Sequence, residues 1–514
     1  MTKPTLGQKD FSGRRRGSSS TRGRSEWKPA YLSNPGNRPL LEATVGQALE
    51  EAARRWPERD CLVSLQQGAQ RLSFSGLLDR ADRLAAGLRG LGLRRADRVG
   101  VWGPNHLEWL VSYMGAARAG LVVAGINPAY RPNELEYCLG RIGARAVLAA
   151  GSYREQNYAD MLLRAKGTCP ALEHVVVWGQ RGHVSAVTRL DVEGRKICLN
   201  VPYFHAFGMI MGVVGPLHAG STVVLENPTF NPVKSIEAIV GQKCSVTFGT
   251  PTMWTNMIDV QNRTNIKIDC LYTGLTGGSP ATPDLYRRIR TCLGMDHIKS
   301  IYGLSETTAV VNQSLHDESP ELTETTIGYI SDDIEMKVID DKGDIVPFGT
   351  PGELCVRGYC TMMGYWGDEE STKKMIQEDG WLKTGDQYIL REDGYGHIVG
   401  RLKDMLIRGG ENIFPKEIED FLATHPAILE THAFGVHDDV YGEEICACVR
   451  LSADAKLTAQ DIVEYAKGKI ARFKIPRYIE FREEFPKTAS GKIQKFKLKE
   501  ELEDRGVVPR KPQN

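Results

Sequence analysis

Gly400-Arg401-Leu402-Lys403-Asp404-Met405-Leu406-Ile407-Arg408-Gly409-Gly410-Glu411-Asn412-Ile413-Phe414-Pro415 packs charges, two adjacent glycines and a proline into sixteen residues. No helical or strand period runs through it, and Met405-Leu406-Ile407 is its only apolar core. Gly409-Gly410 allows positive φ or close approach of a ligand to the backbone. Pro415 followed by Lys-Glu-Ile-Glu reads as a first helical turn with acids near its N-terminus. On its own the run reads as a strand, a glycine turn and a helix that join two domains.

Upstream of this joint, strands alternate with helices. Thr44 and Gln47 form a capping box ahead of an apolar face of Leu49, Ala52, Ala53 and Trp56, which Pro57 stops. Leu77, Ala81, Leu84, Leu88 and Leu91 make a second stripe, closed by Gly92. Asn105 and Glu108 are expected to cap a third helix that Gly120 ends. Val99–Trp102, Leu121–Ala124 and Ala146–Ala150 are short apolar runs beside turn signals. This alternation implies parallel pairing and an α/β layer fold. Residues 325–400 change character, with Glu335–Ile339 and Glu353–Arg357 as strands between Gly-Asp and Asp-Gly turns, and predict a β-rich subdomain. After Arg401 the chain reads as a compact α+β unit: Glu443–Leu451 alternates, Thr458 with Asp461 starts a helix, and Arg477–Arg482 is a strand. The fold class expected is α/β, with a large N-terminal domain of layers plus the β-rich subdomain and a small mobile α+β C-terminal domain. The boundaries expected are 1–40 for a basic tail or targeting segment, 41–401 for the large domain and 402–505 for the small one.

Composition narrows the function classes. The 514 residues are 41% apolar and 25% charged, as in a globular protein, and the formal net charge is +1. That balance gives no signal for nucleic acid, and no stretch approaches the ~18 unbroken apolar residues of a membrane span. The 11 cysteines show no CxxC and no zinc-ligand spacing, which suggests reduced thiols inside a cell. Cys446 and Cys448, two apart in a strand, fall on one face. Arg14, Arg15, Arg16, Arg22 and Arg24 mix with Ser18, Ser19 and Ser20 near the start. This suits a mitochondrial presequence and hence the matrix, but the apolar face of an amphipathic helix is missing. A disordered basic tail on a cytoplasmic protein reads equally well.

Four further segments carry chemistry. They are Pro202-Tyr203-Phe204-His205, Tyr302-Gly303-Leu304-Ser305-Glu306, Trp381-Leu382-Lys383-Thr384-Gly385-Asp386 and Lys487-Thr488-Ala489-Ser490-Gly491-Lys492. Taken singly each has a plain alternative. Glu306 reads as a solvated loop acid, Asp386 as a turn residue, Lys492 as one surface lysine among many, and His205 as a satisfied core histidine.

Taken together with the opening run, their order and spacing resemble the adenylate-forming superfamily of acyl-CoA synthetases, luciferases and peptide-synthetase adenylation domains. The likeness spans about residues 44–500. Trp102-Gly103-Pro104-Asn105, Asn127-Pro128-Ala129-Tyr130, Gly442–Leu451 and Ser490–Leu498 are similar to its medium-chain acyl-CoA ligases. The resemblance implies a reaction in two halves. A carboxylate, such as a fatty acid, joins the α-phosphate of ATP and releases pyrophosphate; the acyl group then passes to the thiol of coenzyme A. Positive charge must wait where two anions meet, and Lys492 matches the lysine that bridges them. Glu306 matches the acid that holds Mg²⁺, a hard cation suited to oxygen. Tyr302, with Gly303 and Ser305 in its motif, would stack on adenine, with Gly277, Gly278 and Ser279 along its edge. Asp386 would accept both ribose hydroxyls, and Arg401 would support the ribose or phosphate. His205 matches an aromatic gate near the acyl and thiol entry. Lys403 takes the hinge position, about which the small domain turns to withdraw Lys492 and bring Gly409-Gly410 to the coenzyme A tunnel.

One element of that family is absent. A Ser/Thr/Gly-rich phosphate loop ending in Pro-Lys-Gly should precede the Pro-x-x-His segment. Between Ala146 and His205 the chain instead runs Val175-Val176-Val177-Trp178-Gly179-Gln180-Arg181-Gly182-His183, then 184–195, then Lys196-Ile197-Cys198-Leu199. No Thr-Ser-Gly-Thr-Thr-Gly equivalent stands elsewhere. An internal deletion near 178–197 is therefore expected, covering a strand, the loop and a helix. It would impair adenylation and leave sheet edges uncovered. Two readings stay open: an ATP-dependent fatty acyl-CoA ligase, impaired, or a non-catalytic adenylating fold that binds ligand or partner. A carrier-linked adenylation domain is disfavoured, because no carrier domain follows before Asn514.

Overall fold

The structure is a computed structural model that describes residues 28–36, 39–178, 195–315, 318–452, 455–488 and 492–510. Two largely parallel sheets form the large domain. In the smaller, the strands Val122–Ile126, Arg98–Trp102, Ala146–Ala150 and His174–Trp178 lie side by side and all parallel. In the larger, Lys196–Cys198 sits between Val246–Gly249 and Thr222–Leu225, with Thr273–Thr276 and His297–Tyr302 following beyond Val246–Gly249. All four ladders joining these strands are parallel, as expected when helices connect them.

The helices Val45–Arg55, Phe74–Gly90 and Leu107–Arg118 pack into one apolar core with both sheets. The Thr44–Gln47 capping box forms as read. The third helix starts differently. Its N-cap is His106, and Gln67, about forty positions away, accepts the Leu107 N–H at 3.0 Å and donates to Glu108 at 2.8 Å. Asn105 is used elsewhere: its Oδ1 accepts the Tyr203 N–H at 2.8 Å and its Nδ2 donates to the Val201 carbonyl at 3.1 Å. A long-range partner thus replaces the local cap, and Asn105 fixes the segment that carries His205.

The β-rich subdomain is an antiparallel sheet in the order Tyr31–Asn34, Ile334–Ile339, Gly352–Gly358, Leu382–Leu390, Gly396–Arg401. Its first strand lies within the 1–40 segment read as tail, so the described part of that segment belongs to the fold. Leu32 and Asn34 face inward, and Asn34 donates to the Ile330 carbonyl at 2.9 Å. Four residues with basic surroundings carry too little period to be read as a strand alone. Residues 1–27, 37 and 38, the rest of the expected tail, lie outside the described residues.

The small domain wraps Ile428–Asp438, Gly442–Leu451 and Leu406–Arg408 into one sheet, with Tyr478–Phe481 parallel along its edge. Gly442–Leu451 is buried on both faces over Ile445–Val449, so its composition alternates less than a half-exposed strand would. Cys446 and Cys448 share the face that packs on Phe434, Val436, Leu498 and Leu502. Among the described residues every cysteine is a free thiol, and no helix is long and apolar enough to cross a membrane.

Candidate active site

Gly396–Arg401 ends the subdomain sheet, and Leu406–Arg408 begins the small domain. Arg401 pairs in register with Asp386 on the neighbouring strand, so the backbone ladder itself brings the two side chains together. Arg401 Nε lies 3.2 Å from Asp386 Oδ1, and the Tyr302 hydroxyl donates to Asp386 Oδ2 at 2.6 Å. Asp386 is buried, which raises its pKa, while Tyr302 and Arg401 oppose that rise. A buried carboxylate flanked by a phenol and a guanidinium suits two hydroxyl donors.

Tyr302 ends the strand His297–Tyr302, and the chain then turns through a short helical turn, Ser305–Thr307. Gly303 is required there, because a β-carbon would overlap the Ala309 carbonyl. The turn aims Glu306 toward Tyr365, whose hydroxyl donates to Glu306 Oε1 at 2.7 Å. Ser305 is exposed on the same turn. Tyr365 escaped the sequence reading: it sits in a Gly-Tyr-Trp turn with no period and no charge to mark it.

Lys492 reaches this group from the small domain. Its Cε lies 3.8 Å from the place a β-carbon would take on Gly278, in the Gly277-Gly278-Ser279 turn after Thr273–Thr276. Burial and the nearby Arg401 lower the Lys492 pKa, while Glu306 and Asp386 pull it back up. Lys492, Glu306, Asp386 and Arg401 therefore share one electrostatic neighbourhood. His205 is electrostatically linked to Lys492. Burial, then the charge of Lys492, bring its pKa down to about 4, so the ring is neutral at pH 7. Its Nδ1 accepts the Phe207 N–H at 3.2 Å and caps the helix Ala206–Met209. A base this weak with a committed lone pair is poorly suited to proton abstraction.

Lys403 and Gly409-Gly410 stand apart from this group. Lys403 is exposed in the short turn Leu402–Asp404 at the joint. Gly409 (φ +58°) and Gly410 (φ +89°) form the two-residue turn between Leu406–Arg408 and Glu411–Ile413. Both positive φ values match a type I′ hairpin, so the hairpin alone accounts for the two glycines. Its Gly409 N–H donates to the Tyr441 carbonyl at 2.9 Å.

A large domain of α/β layers, with a small C-terminal domain whose Lys492 reaches the Tyr302–Asp386–Arg401 cluster, has the architecture of an adenylate-forming enzyme. The profile of AMP-binding enzymes matches residues 49–193 and 176–366, and that of the AMP-binding enzyme C-terminal domain matches 417–492. The chain belongs to the AMP-binding enzyme family, in its acid–thiol ligase lineage. It is similar to the medium-chain acyl-CoA ligase ACSF2, mitochondrial, of Danio rerio, at 35% identity over 89% of this chain and 88% of that one. It is 32% identical to the putative acyl-CoA synthetase YngI of Bacillus subtilis over 88% of this chain and 95% of that one. In fold it resembles the anthranilate CoA ligase AuaEII in complex with anthranoyl-AMP, with TM-score 0.80, 24% identity and coverage of 91% and 99%.

The family match comes in two pieces that meet over residues 176–193. The alignment with the Danio relative runs over 538 positions, whereas 89% of 514 residues is about 457. About 80 of its positions thus have no residue in this chain. Residues 179–194, where the phosphate loop would fall, lie outside the described residues. The flanking strand His174–Trp178, rich in valine, remains half-exposed along its length among the described residues.

Proposed function

We propose that this chain is an acyl-CoA ligase by descent whose adenosine and lysine half-sites are complete and whose grip on the triphosphate is lost. One observation carries this reading: the family match breaks at 176–193, and residues 175–205 contain no Ser/Thr/Gly-rich loop ending in Pro-Lys-Gly. In the full reaction a carboxylate oxygen bonds to the α-phosphorus of ATP as the bond to pyrophosphate breaks. Thiol sulfur of coenzyme A then bonds to the acyl carbon as AMP departs and the thiol proton is released.

Asp386 and Arg401 would hold the ribose, Tyr302 the adenine, and Lys492 the charge between carboxylate and α-phosphate. Mg²⁺, when bound, neutralises phosphate charge. Among the described residues no three acid, His or Cys side chains converge on a metal position. Glu306 alone would hold the ion together with phosphate oxygens, a mode common for Mg²⁺. The β- and γ-phosphates would lose the donors of the missing loop. Hydrogen bonds to charged groups contribute roughly 1.5–3 kcal/mol each, so losing several would slow the first half by orders of magnitude. The second half handles no triphosphate.

The acyl group would lie along Phe204–Met211 and Phe248–Trp254, where the Phe207 and Phe248 rings stand 6.1 Å apart. A medium-length fatty acid is proposed from the name of the Danio relative. That name and the basic start also support the mitochondrial matrix, which import into isolated mitochondria with shortening of the chain would test.

Octanoyl-adenylate and coenzyme A, supplied to the full chain, test the proposal. Octanoyl-CoA and AMP should form, at a rate that Lys492→Ala leaves within about threefold, since this lysine serves the first half. A second reading, a non-catalytic fold that only binds, is favoured if AMP binds but no thioester appears.

A further inference from the structure

The helix Pro251–Thr264 begins near Lys492 and meets the small domain through Thr252 and Asp259. Thr250, its N-cap, faces the same open side of Gly278 as Lys492: a β-carbon there would lie 3.5 Å from Thr250 Cγ2 and 3.8 Å from Lys492 Cε. Farther along, Thr252 Oγ1 donates to Glu430 Oε1 at 3.4 Å, and Asp259 Oδ2 lies 4.0 Å from Arg450 Nη2. Seven residues separate Thr252 from Asp259, about two helical turns, so both present to one side.

The receiving surface is built. Glu430 and Arg450 face each other across the strands Ile428–Asp438 and Gly442–Leu451, and Arg450 Nη2 stands 3.1 Å from Glu430 Oε2. His432 Nε2 lies 3.0 Å from Glu430 Oε1. The side chains of Glu430, His432 and Arg450 are 10%, 15% and 14% exposed, although a cross-strand ion pair is usually solvated. They are buried against the helix of the other domain. The path continues to the lysine. The His432 ring packs edge-on against Phe485 at 4.7 Å, and Lys487 bridges to Ile493. Thr488 and Lys492 exchange two hydrogen bonds, at 2.7 and 3.0 Å.

We propose that Asp259 and Arg450, with Thr252 and Glu430, are positioning residues that seat the small domain in the pose that inserts Lys492. They touch no reacting atom and act through Phe485, Lys487 and Thr488, which hold Lys492. The proposal rests on the reading of residues 402–505 as a moving domain. It does not depend on whether adenylation is impaired.

Amine acylation of the full chain, read by quantitative peptide mass spectrometry, tests it without any turnover. Lys492 should react slowly in the parent relative to exposed Lys373. In Asp259→Asn and in Arg450→Met its labelling should rise about fivefold, the range of a single surface-to-partly-buried coupling. The double variant should rise no further than the larger single, because both remove one contact. Arg450→Lys should restore part of the protection. Lys495 and Lys499, bonded within the small domain to Glu419 and Gly435, should stay as in the parent. Unchanged Lys492 labelling overturns the proposal. So does a rise shared by Lys495 and Lys499, which would mean that the small domain had merely loosened.

Discussion

The Tyr302 hydroxyl donates to Asp386 Oδ2 at 2.6 Å, joining the end of a central parallel strand to a strand of the β-rich subdomain. Two units of different architecture thus meet at one carboxylate. The contact also sets the order of effects expected from mutation. Asp386→Asn removes the charge proposed to face the ribose and should weaken AMP binding tenfold or more, from about 1.5–3 kcal/mol per charged hydrogen bond. Tyr302→Phe removes a neutral donor and keeps the ring, so AMP affinity should stay within about fivefold. Titration calorimetry with AMP distinguishes the two.

His205 sets a pH dependence of stability. Its folded pKa is about 4, below the ordinary histidine value of about 6.5. The unfolded chain therefore binds a proton first as pH falls, and stability drops between about pH 6.5 and pH 4. At pH 5 the loss from this group is about 2 kcal/mol. Urea unfolding should show His205→Gln losing less stability than the parent between pH 7.5 and pH 5, by about that amount. Equal losses would count against a neutral buried ring.

The Gly409-Gly410 turn separates two demands that coincide in sequence. Gly410→Ala meets no atom within 4 Å and carries only the left-handed backbone penalty, about 1 kcal/mol. Gly409→Ala adds contact with the Tyr441 ring at 3.2 Å and should cost more. Gly410→Asn, which tolerates that backbone, should lie near the parent. Differential unfolding of the small domain measures all three. Thioester formation from octanoyl-adenylate then reports whether the turn has a further role with coenzyme A.

Much of this site was legible before the fold was known. Lys492, Glu306, Asp386, Arg401 and His205 stand in motifs whose order matches a family, and the structure brings them together. Periodicity found the helices that begin at Val45 and Phe74, because their apolar faces repeat at helical spacing. What stayed hidden depends on partners far along the chain. Asn105 reads as a helix cap until Tyr203 and Val201 take both ends of its amide. Tyr365 carries no pattern, and its role appears only when Glu306 lies at its hydroxyl. Tyr31–Asn34 looks like tail until Ile334–Ile339 pairs with it. The seat between Asp259 and Arg450 joins residues almost two hundred positions apart, which no local spacing could suggest.

The loss of the triphosphate grip is the central claim, and exchange of radiolabelled pyrophosphate into ATP in the presence of octanoate and Mg²⁺ tests it most directly. The account predicts no exchange above the background of Lys492→Ala, in the same preparation that forms octanoyl-CoA from supplied octanoyl-adenylate. Clear exchange in the parent that Lys492→Ala abolishes would contradict it.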